Sequence, residues 1–305
     1  MSEVFQTTIL GSSAAIPTSL RHTSAQLVQY HNKRFLLDCA EGTQMQLRRF
    51  KLPLMKIDHI FISHLHGDHY LGLPGLLFTY HLLGRENTLH IYSPPGMQKI
   101  IDLQYELSRL KPAFDIVYHE LTKGEEVIHE DDRLTVETIE MAHSIPAFGF
   151  LIREKERPRN IRKRAIQKYN IPQESMQPIK SGENFVTPSG QVVPNKEITL
   201  DPPETRAYAF CSDTLYSEKF LEQIKGVDLL YHEATFMHDK AAIAHEKTHA
   251  TTVEAASLAK KAGAAKLLLG HYSARYKELD DFRNEAAAVF PNTLLAEEGD
   301  VISVR

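Results

Sequence analysis

Short apolar runs separated by turn residues fill the first part of the chain. Val4 to Leu10, Ala25 to Gln29, Arg34 to Cys39 and His59 to Ser63 have the length and composition of strands. Thr43 to Phe50, between the last two, reads as a helix. Tyr70 to Leu83 also predicts a helix, because its Gly72-Leu73-Pro74-Gly75 opening puts proline in the first turn, where it is tolerated. The alternation continues with strand Leu89 to Tyr92, helix Met97 to Leu110 and strand Leu134 to Met141. It resumes near the C-terminus with strands Ala207 to Cys211 and Val227 to His232, helix Thr252 to Ala262 and strand Lys266 to His271. Strands alternating with helices in both halves predict an α/β layered protein, two βα halves packed face to face. Arg153 to Thr205 breaks the pattern: it has little apolar periodicity and seven prolines, and is read as an inserted arm outside the core.

At 305 residues and 42% hydrophobic side chains, the chain can bury one large core or two sharing an interface. Met1 to Leu10 has no basic leader followed by an apolar run, and no stretch approaches the ~18 apolar residues of a membrane span. The two cysteines, Cys39 and Cys211, sit beside apolar strand-like runs, the usage of a reducing cytoplasm. Net charge is −4, which names no ligand class, but it hides an asymmetry. Arg153 to Lys168 carries a net +6, leaving −10 for the rest. A basic segment on an acidic protein suits a nucleic-acid backbone, since phosphate neutralisation gives affinity without sequence readout; a solvated charged face is the alternative.

The sharpest chemical signal is His64-Leu65-His66-Gly67-Asp68-His69, directly after the apolar run Ile60 to Ile62. Three imidazoles and a carboxylate at a strand end point several lone pairs into one small volume, with Gly67 free to take a tight turn. That is the composition of a metal site. The segment resembles the zinc-binding motif of the metallo-β-lactamase superfamily, whose fold is a four-layer αββα sandwich. In the di-iron flavoprotein branch a glutamate stands where this chain has His66, so the resemblance favours zinc and hydrolysis. It implies three further ligands, each after a strand, and His143, Asp213 and His271 stand in those places. By resemblance, two Zn²⁺ ions are bound per chain: His64, His66 and His143 hold one, Asp68, His69 and His271 the other, and Asp213 bridges them. Such a pair activates water for in-line attack on a phosphate. Asp68 would act as ligand, as base, or as both, and Mn²⁺ or Fe²⁺ fits the same donors.

Further motifs resemble the ribonuclease Z family, and together they cover most of the chain. His232-Glu233-Ala234-Thr235 with His249-Ala250-Thr251 resembles its HEAT and HST pair, implying that Glu233 orients His249 and that His249 protonates the departing ribose 3′-oxygen. Gly270-His271-Tyr272-Ser273-Ala274-Arg275-Tyr276 resembles its HFSxRY segment, implying a phosphate contact for Arg275. Leu10 to Pro17 resembles its N-terminal loop, which the family continues as Pro-x-Lys-x-Arg-Asn to sense nucleotides past the cut. Here Arg21 is kept, while Ser19 and His22 depart. The arm lies where the family inserts a flexible tRNA-gripping exosite, which implies RNA contacts for Arg159, Arg162, Lys163 and Arg164; the family's Gly-Pro motif is replaced by Ile171-Pro172-Gln173. The implied function is zinc-dependent removal of 3′ trailers from precursor tRNA, in a homodimer. A small-molecule phosphodiesterase with the same metal pair and a non-catalytic binding protein remain alternatives.

Overall fold

A computed structural model describes residues 4–305; Met1 to Glu3, the start of the segment read for an export signal, lie outside the described residues. Two seven-stranded sheets form the body of the chain. In the first, Val301–Ser303, Phe5–Gly11, Ala25–Tyr30 and Lys33–Leu37 pair antiparallel, and Lys33–Leu37, His59–Phe61, Leu89–Ser93 and Ile116–Glu120 run parallel. In the second, Ala207–Cys211, Leu229–Glu233, Leu267–Gly270 and Thr293–Leu295 run parallel, and Phe148–Glu154, Leu134–Glu140 and Val127–Glu130 complete the order.

The sheets face one another through aromatic and polar side chains: Phe61 meets Phe150 at 5.3 Å between ring centroids, and the Tyr208 hydroxyl donates to Gln26 at 2.5 Å. Helices Thr43–Arg49, Gly72–Leu82 and Met97–Ser108 cover the outer face of the first sheet, with Leu47, Leu73, Leu77 and Ile101 in a shared core. Thr252–Ala262 and Asp280–Ala287 cover the second through Ala255, Ala259 and Phe282. The result is a four-layer αββα sandwich.

Local chemistry sets the element ends. Thr251 caps Thr252–Ala262 in a reciprocal box with Glu254, and Gly263 closes that helix at φ 63°. The helix expected over Tyr70 to Leu83 begins at Gly72, with Pro74 in its first turn; a shorter helix, Gly67–Tyr70, precedes it. Gly67 therefore opens a helix and is not a left-handed turn. A Cβ there would lie 2.8 Å from the end of the exposed Leu71 side chain, which can turn aside. Gly72 is pressed harder: its Cβ would sit 1.9 Å from the Ala40 carbonyl oxygen.

The proline-rich segment forms a second unit, residues 153–205 together with 130–135. The sequence predicts an inserted arm outside the core there. The segment contains helices Lys163–Tyr169, Gln173–Lys180 and Asn195–Ile198 around a small core of Ala165, Ile171, Ile179, Phe185, Val193 and Ile198. Its elements are too short for apolar periodicity to register, and Pro172 and Pro194 mark helix starts at N-cap positions.

Candidate metal centre

Every candidate ligand lies just beyond the C-terminal end of a strand, where parallel strands of α/β sheets present their loops. His64, His66, Asp68 and His69 follow His59–Phe61, and His143 follows Leu134–Glu140. Asp213 follows Ala207–Cys211, and His271 follows Leu267–Gly270. Two donor groups result. His64, His66, His143 and Asp213 form one, and Asp68, His69 and His271 the other, with all ligand atoms of a group within 4.8 Å of one another.

In the first group His66 Nδ1 lies 3.1 Å from His64 Nε2 and 3.2 Å from His143 Nε2. Asp213 spans both groups. Its Oδ2 faces His64 at 3.6 Å and His143 at 4.0 Å, and its Oδ1 faces His69 at 3.4 Å and His271 at 3.2 Å. Asp68 Oδ2 lies 3.4 Å from His271 Nε2 and accepts the Ala15 amide at 2.7 Å.

The outer nitrogens of four imidazoles are tied down. His69 Nδ1 meets the buried Asp38 carboxylate at 2.7 Å. His64 Nδ1 meets the Ser63 hydroxyl at 3.0 Å, which in turn donates to Asp38 at 3.2 Å. His271 Nδ1 meets the Thr235 hydroxyl at 3.0 Å, which donates to Glu233 at 2.8 Å. His143 Nδ1 meets the Thr248 carbonyl at 3.0 Å. Such partners hold Nδ1 protonated, leaving Nε2 as a lone pair aimed inward.

Among the described residues, His69 Nε2, His271 Nε2 and Asp213 Oδ1 are buried without a hydrogen-bond partner. Orphaned buried polar atoms are costly, and three converging on one point fit a cation. Electrostatics agree at Asp213 and His64, while at His69 burial is outweighed by Asp213 and Asp38, which raise its pKa well above 6.5. Burial alone would push the Asp213 carboxyl up, but His271, His69 and His64 override it and hold it well below the usual carboxylate range. Burial lowers His64 and keeps it neutral, as a ligand must be. The cluster is a metal-binding site.

Glu233 is fully buried and His249 stands beside the cluster, its Nδ1 2.8 Å from Glu233 Oε1. Burial opposes a charge on His249, but Glu233 outweighs it and raises the pKa to about 9. The other Glu233 oxygen accepts the Thr235 amide at 3.0 Å, so the carboxylate is fixed on both sides. Arg275 is exposed and lies 4.9 Å over the Phe236 ring, with Nε donating to Ser273 at 3.1 Å. Arg21 differs from its expected substrate role: its guanidinium donates to the Tyr276 and Lys277 carbonyls and so ties the N-terminal loop to the segment carrying Arg275. In the second unit Arg159 pairs with Asp201 at 2.5 Å and Arg162 donates to the Thr199 carbonyl at 3.0 Å, whereas Lys163 and Arg164 are exposed.

Sequence reasoning missed Asp38, Ser63, Thr235 and Thr248. Only Asp38 left a signal, as a lone charge ending the apolar run Phe35 to Leu37.

The sandwich with a histidine and aspartate cluster at its strand ends defines a metal-dependent hydrolase of the metallo-β-lactamase fold. Among solved structures, human tRNase Z, short form, is 28% identical, with a TM-score of 0.71 and 98% of this chain and 99% of that one covered. The metallo-β-lactamase fold protein YhfI from Bacillus subtilis shares the fold at 21% identity, with a TM-score of 0.69 and 99% and 100% coverage. Ribonuclease Z of Bacteroides fragilis is 43% identical over 99% of this chain and 100% of its own length. Ribonuclease Z of Porphyromonas gingivalis is 42% identical over 96% and 97%. The chain belongs to the ribonuclease Z family, and it also falls within the family model described as anti-Pycsar protein Apyc1, which matches residues 5–157. That second match ends before Asp213, Glu233, His249 and His271, which the full-length relatives span.

Proposed function

We propose that this chain is a zinc-dependent endoribonuclease that removes 3′ trailers from precursor tRNA, leaving a 3′-hydroxyl on the tRNA and a 5′-phosphate on the trailer. The observation that carries this reading is the Glu233–His249 pair, 2.8 Å apart and beside the metal cluster, in a chain more than 40% identical to ribonucleases Z over nearly its full length. His64, His66 and His143 would hold one Zn²⁺ and Asp68, His69 and His271 a second, with Asp213 shared between them. Bound there, zinc supplies Lewis acidity that activates water and neutralises phosphate charge.

The chain's own residues do the rest. Glu233 fixes the His249 ring, and His249 donates a proton to the departing 3′-oxygen. Asp68, held by the Ala15 amide, serves as ligand and proton acceptor. Arg275, preoriented on Phe236, grips a phosphate. Arg21 acts on the substrate only through the loop that it anchors.

Lys163 and Arg164, with Arg159 and Arg162 more constrained, would contact the RNA backbone. Deletion of residues 153–205 should weaken precursor binding and flatten its salt dependence while cleavage of a small diester survives. Equal loss of both activities would remove the arm from RNA recognition.

No helix of the described residues is long and apolar enough to cross a membrane. Two buried free cysteines support a cytoplasmic setting. Leu82 and Leu107, 78% and 76% exposed on neighbouring helices, support a homodimer that covers them; a monomeric mass in solution scattering at micromolar concentration would remove it.

The deciding experiment incubates zinc-loaded protein with a precursor tRNA carrying a 3′ trailer and maps both product ends. One cut beside the discriminator nucleotide is expected. Hydrolysis of bis(p-nitrophenyl) phosphate without any RNA cut would transfer the assignment to a small-molecule phosphodiesterase.

A further inference from the structure

Thr248 has left-handed backbone geometry, φ 57°. For a β-branched residue this conformation is unfavourable, and it persists only where its surroundings demand it. Two demands meet there. The Thr248 carbonyl and hydroxyl lie 3.0 and 2.9 Å from the same atom, His143 Nδ1. Its hydroxyl hydrogen is committed to the Lys247 carbonyl at 2.7 Å, so the hydroxyl presents a lone pair to the imidazole. His143 Nδ1–H is thus shared between two acceptors, and Nε2, facing His66 and Asp213, carries the free lone pair.

The same backbone reversal ends helix Ala241–Glu246. The Thr248 amide donates to the His245 carbonyl at 3.1 Å and the His249 amide to that of Ala244 at 2.8 Å. The next side chain therefore emerges onto Glu233. The His143 and His249 rings end 5.5 Å apart, one on each side of a single strained residue.

We infer that Thr248 is a positioning residue: it locks His143 in the tautomer that ligates metal and couples that ligand to the proton donor His249. The coupling half rests on the ribonuclease reading; the ligand half does not. Replacing the hydroxyl with a methyl group in Thr248→Val keeps the branching and removes one acceptor. Loss of an outer-shell partner weakens metal binding by about 10–100-fold, and that shift is expected when Zn²⁺ is titrated against a competing chelator. Thr248→Ser restores the hydroxyl and should return near the parent affinity. Thr248→Gly accepts φ 57° without strain and removes the hydroxyl together with the methyl group, so it should weaken zinc binding at least as much as Val does, even where Val disturbs folding.

On precursor RNA, Val and Gly should lower kcat and leave KM in place. Parent zinc affinity in both Val and Gly, or Ser no better than Val, overturns the inference. If the parent protein fails to cut precursor tRNA, the ribonuclease reading falls and the zinc series still decides this one. If the parent cuts and the series is flat, this one falls alone.

Discussion

The described residues hold two histidine clusters, and in one of them donor atoms converge as a shared ion requires. At the strand ends His64, His69, His143 and His271 each engage an outer partner: Ser63, Asp38, Thr248 and Thr235. Away from those strand ends, His59, His90 and His119 of the first sheet and His129 of the second meet one another instead. The His59 ring stacks on His90 at 5.0 Å and tilts against His129 at 4.4 Å, and His119 stacks on Tyr92 at 4.3 Å. His90 Nδ1 faces His119 Nε2 at 3.0 Å, one imidazole serving as the other's partner. Among the described residues, every group of donors able to share an ion lies in the first cluster. A high density of imidazoles therefore does not make a metal site. What does so is a set of outer partners that fixes each proton outward and each lone pair inward, with a carboxylate among the inner donors.

The largest effect should come from the site histidine proposed to act as an acid and not as a ligand. His249→Ala should lower single-turnover cleavage by roughly 10²–10⁴-fold, the usual contribution of a positioned acid. Zinc per chain, measured by metal analysis, should stay at the parent value. Loss of zinc in this variant would recast His249 as a ligand, a role that the grouping of Asp213, His249 and His271 within one reach also permits geometrically. The Nδ1 contact with buried Glu233 argues against it, because that carboxylate already holds the ring.

The outer partners themselves come next. Asp38→Asn keeps the shape but removes the charge that His69 Nδ1, the Ser24 hydroxyl and Ser63 address at 2.7, 2.9 and 2.8–3.2 Å. Zinc affinity by chelator competition should fall about 10–100-fold, as for other outer-shell changes. His90→Phe, in the second cluster, should leave zinc content and affinity unchanged. Matching losses in both variants would mean that the two clusters do not differ as argued.

These outer partners also mark how far sequence reasoning reached. The proposed ligands were legible because each is a rare residue type close after a strand-like run, in an order the resemblance supplied, whereas His249 follows the polar stretch His245 to Thr248 and was named by motif resemblance alone. Helix Thr252–Ala262 was legible because alanines recur on one face behind a Thr251–Glu254 box. Phe148–Glu154 was not, since it is buried almost throughout, begins soon after Pro146 and contains Gly149, so neither alternation nor composition announces a strand. The three-residue strand Val301–Ser303 is visible only through its pairing with Phe5–Gly11 across the whole chain. Ser63, Thr235 and Thr248 acquire meaning only from neighbours distant in sequence: Thr248 meets His143 from 105 positions away. A common residue with a distant partner leaves no local trace.

The smallest effect concerns proton uptake by the second cluster. Burial lowers the His59 pKa from 6.5 to about 3, helped by His129, His90, His119 and Lys33. Burial likewise lowers His119, with His90 and His129 adding to it. A base whose folded pKa lies below its unfolded value binds protons more readily when the chain is open. As pH falls through 6.5 toward about 3, the unfolded state gains a proton that folded His59 refuses, so stability declines across that window and is fully present above it. His59 Nδ1 is buried without a hydrogen-bond partner, and the ring packs against Phe35 and Phe61, so His59→Phe removes the titration and sacrifices no polar contact at that nitrogen. Its melting temperature should fall less steeply than the parent's between pH 6.5 and 4, and neutral-pH zinc content should match. The site histidines are present in both proteins, so acid loss of metal cancels in the difference. Equal slopes would mean that the stacked imidazoles take up protons freely, and the second cluster would then be as adaptable as the first is fixed.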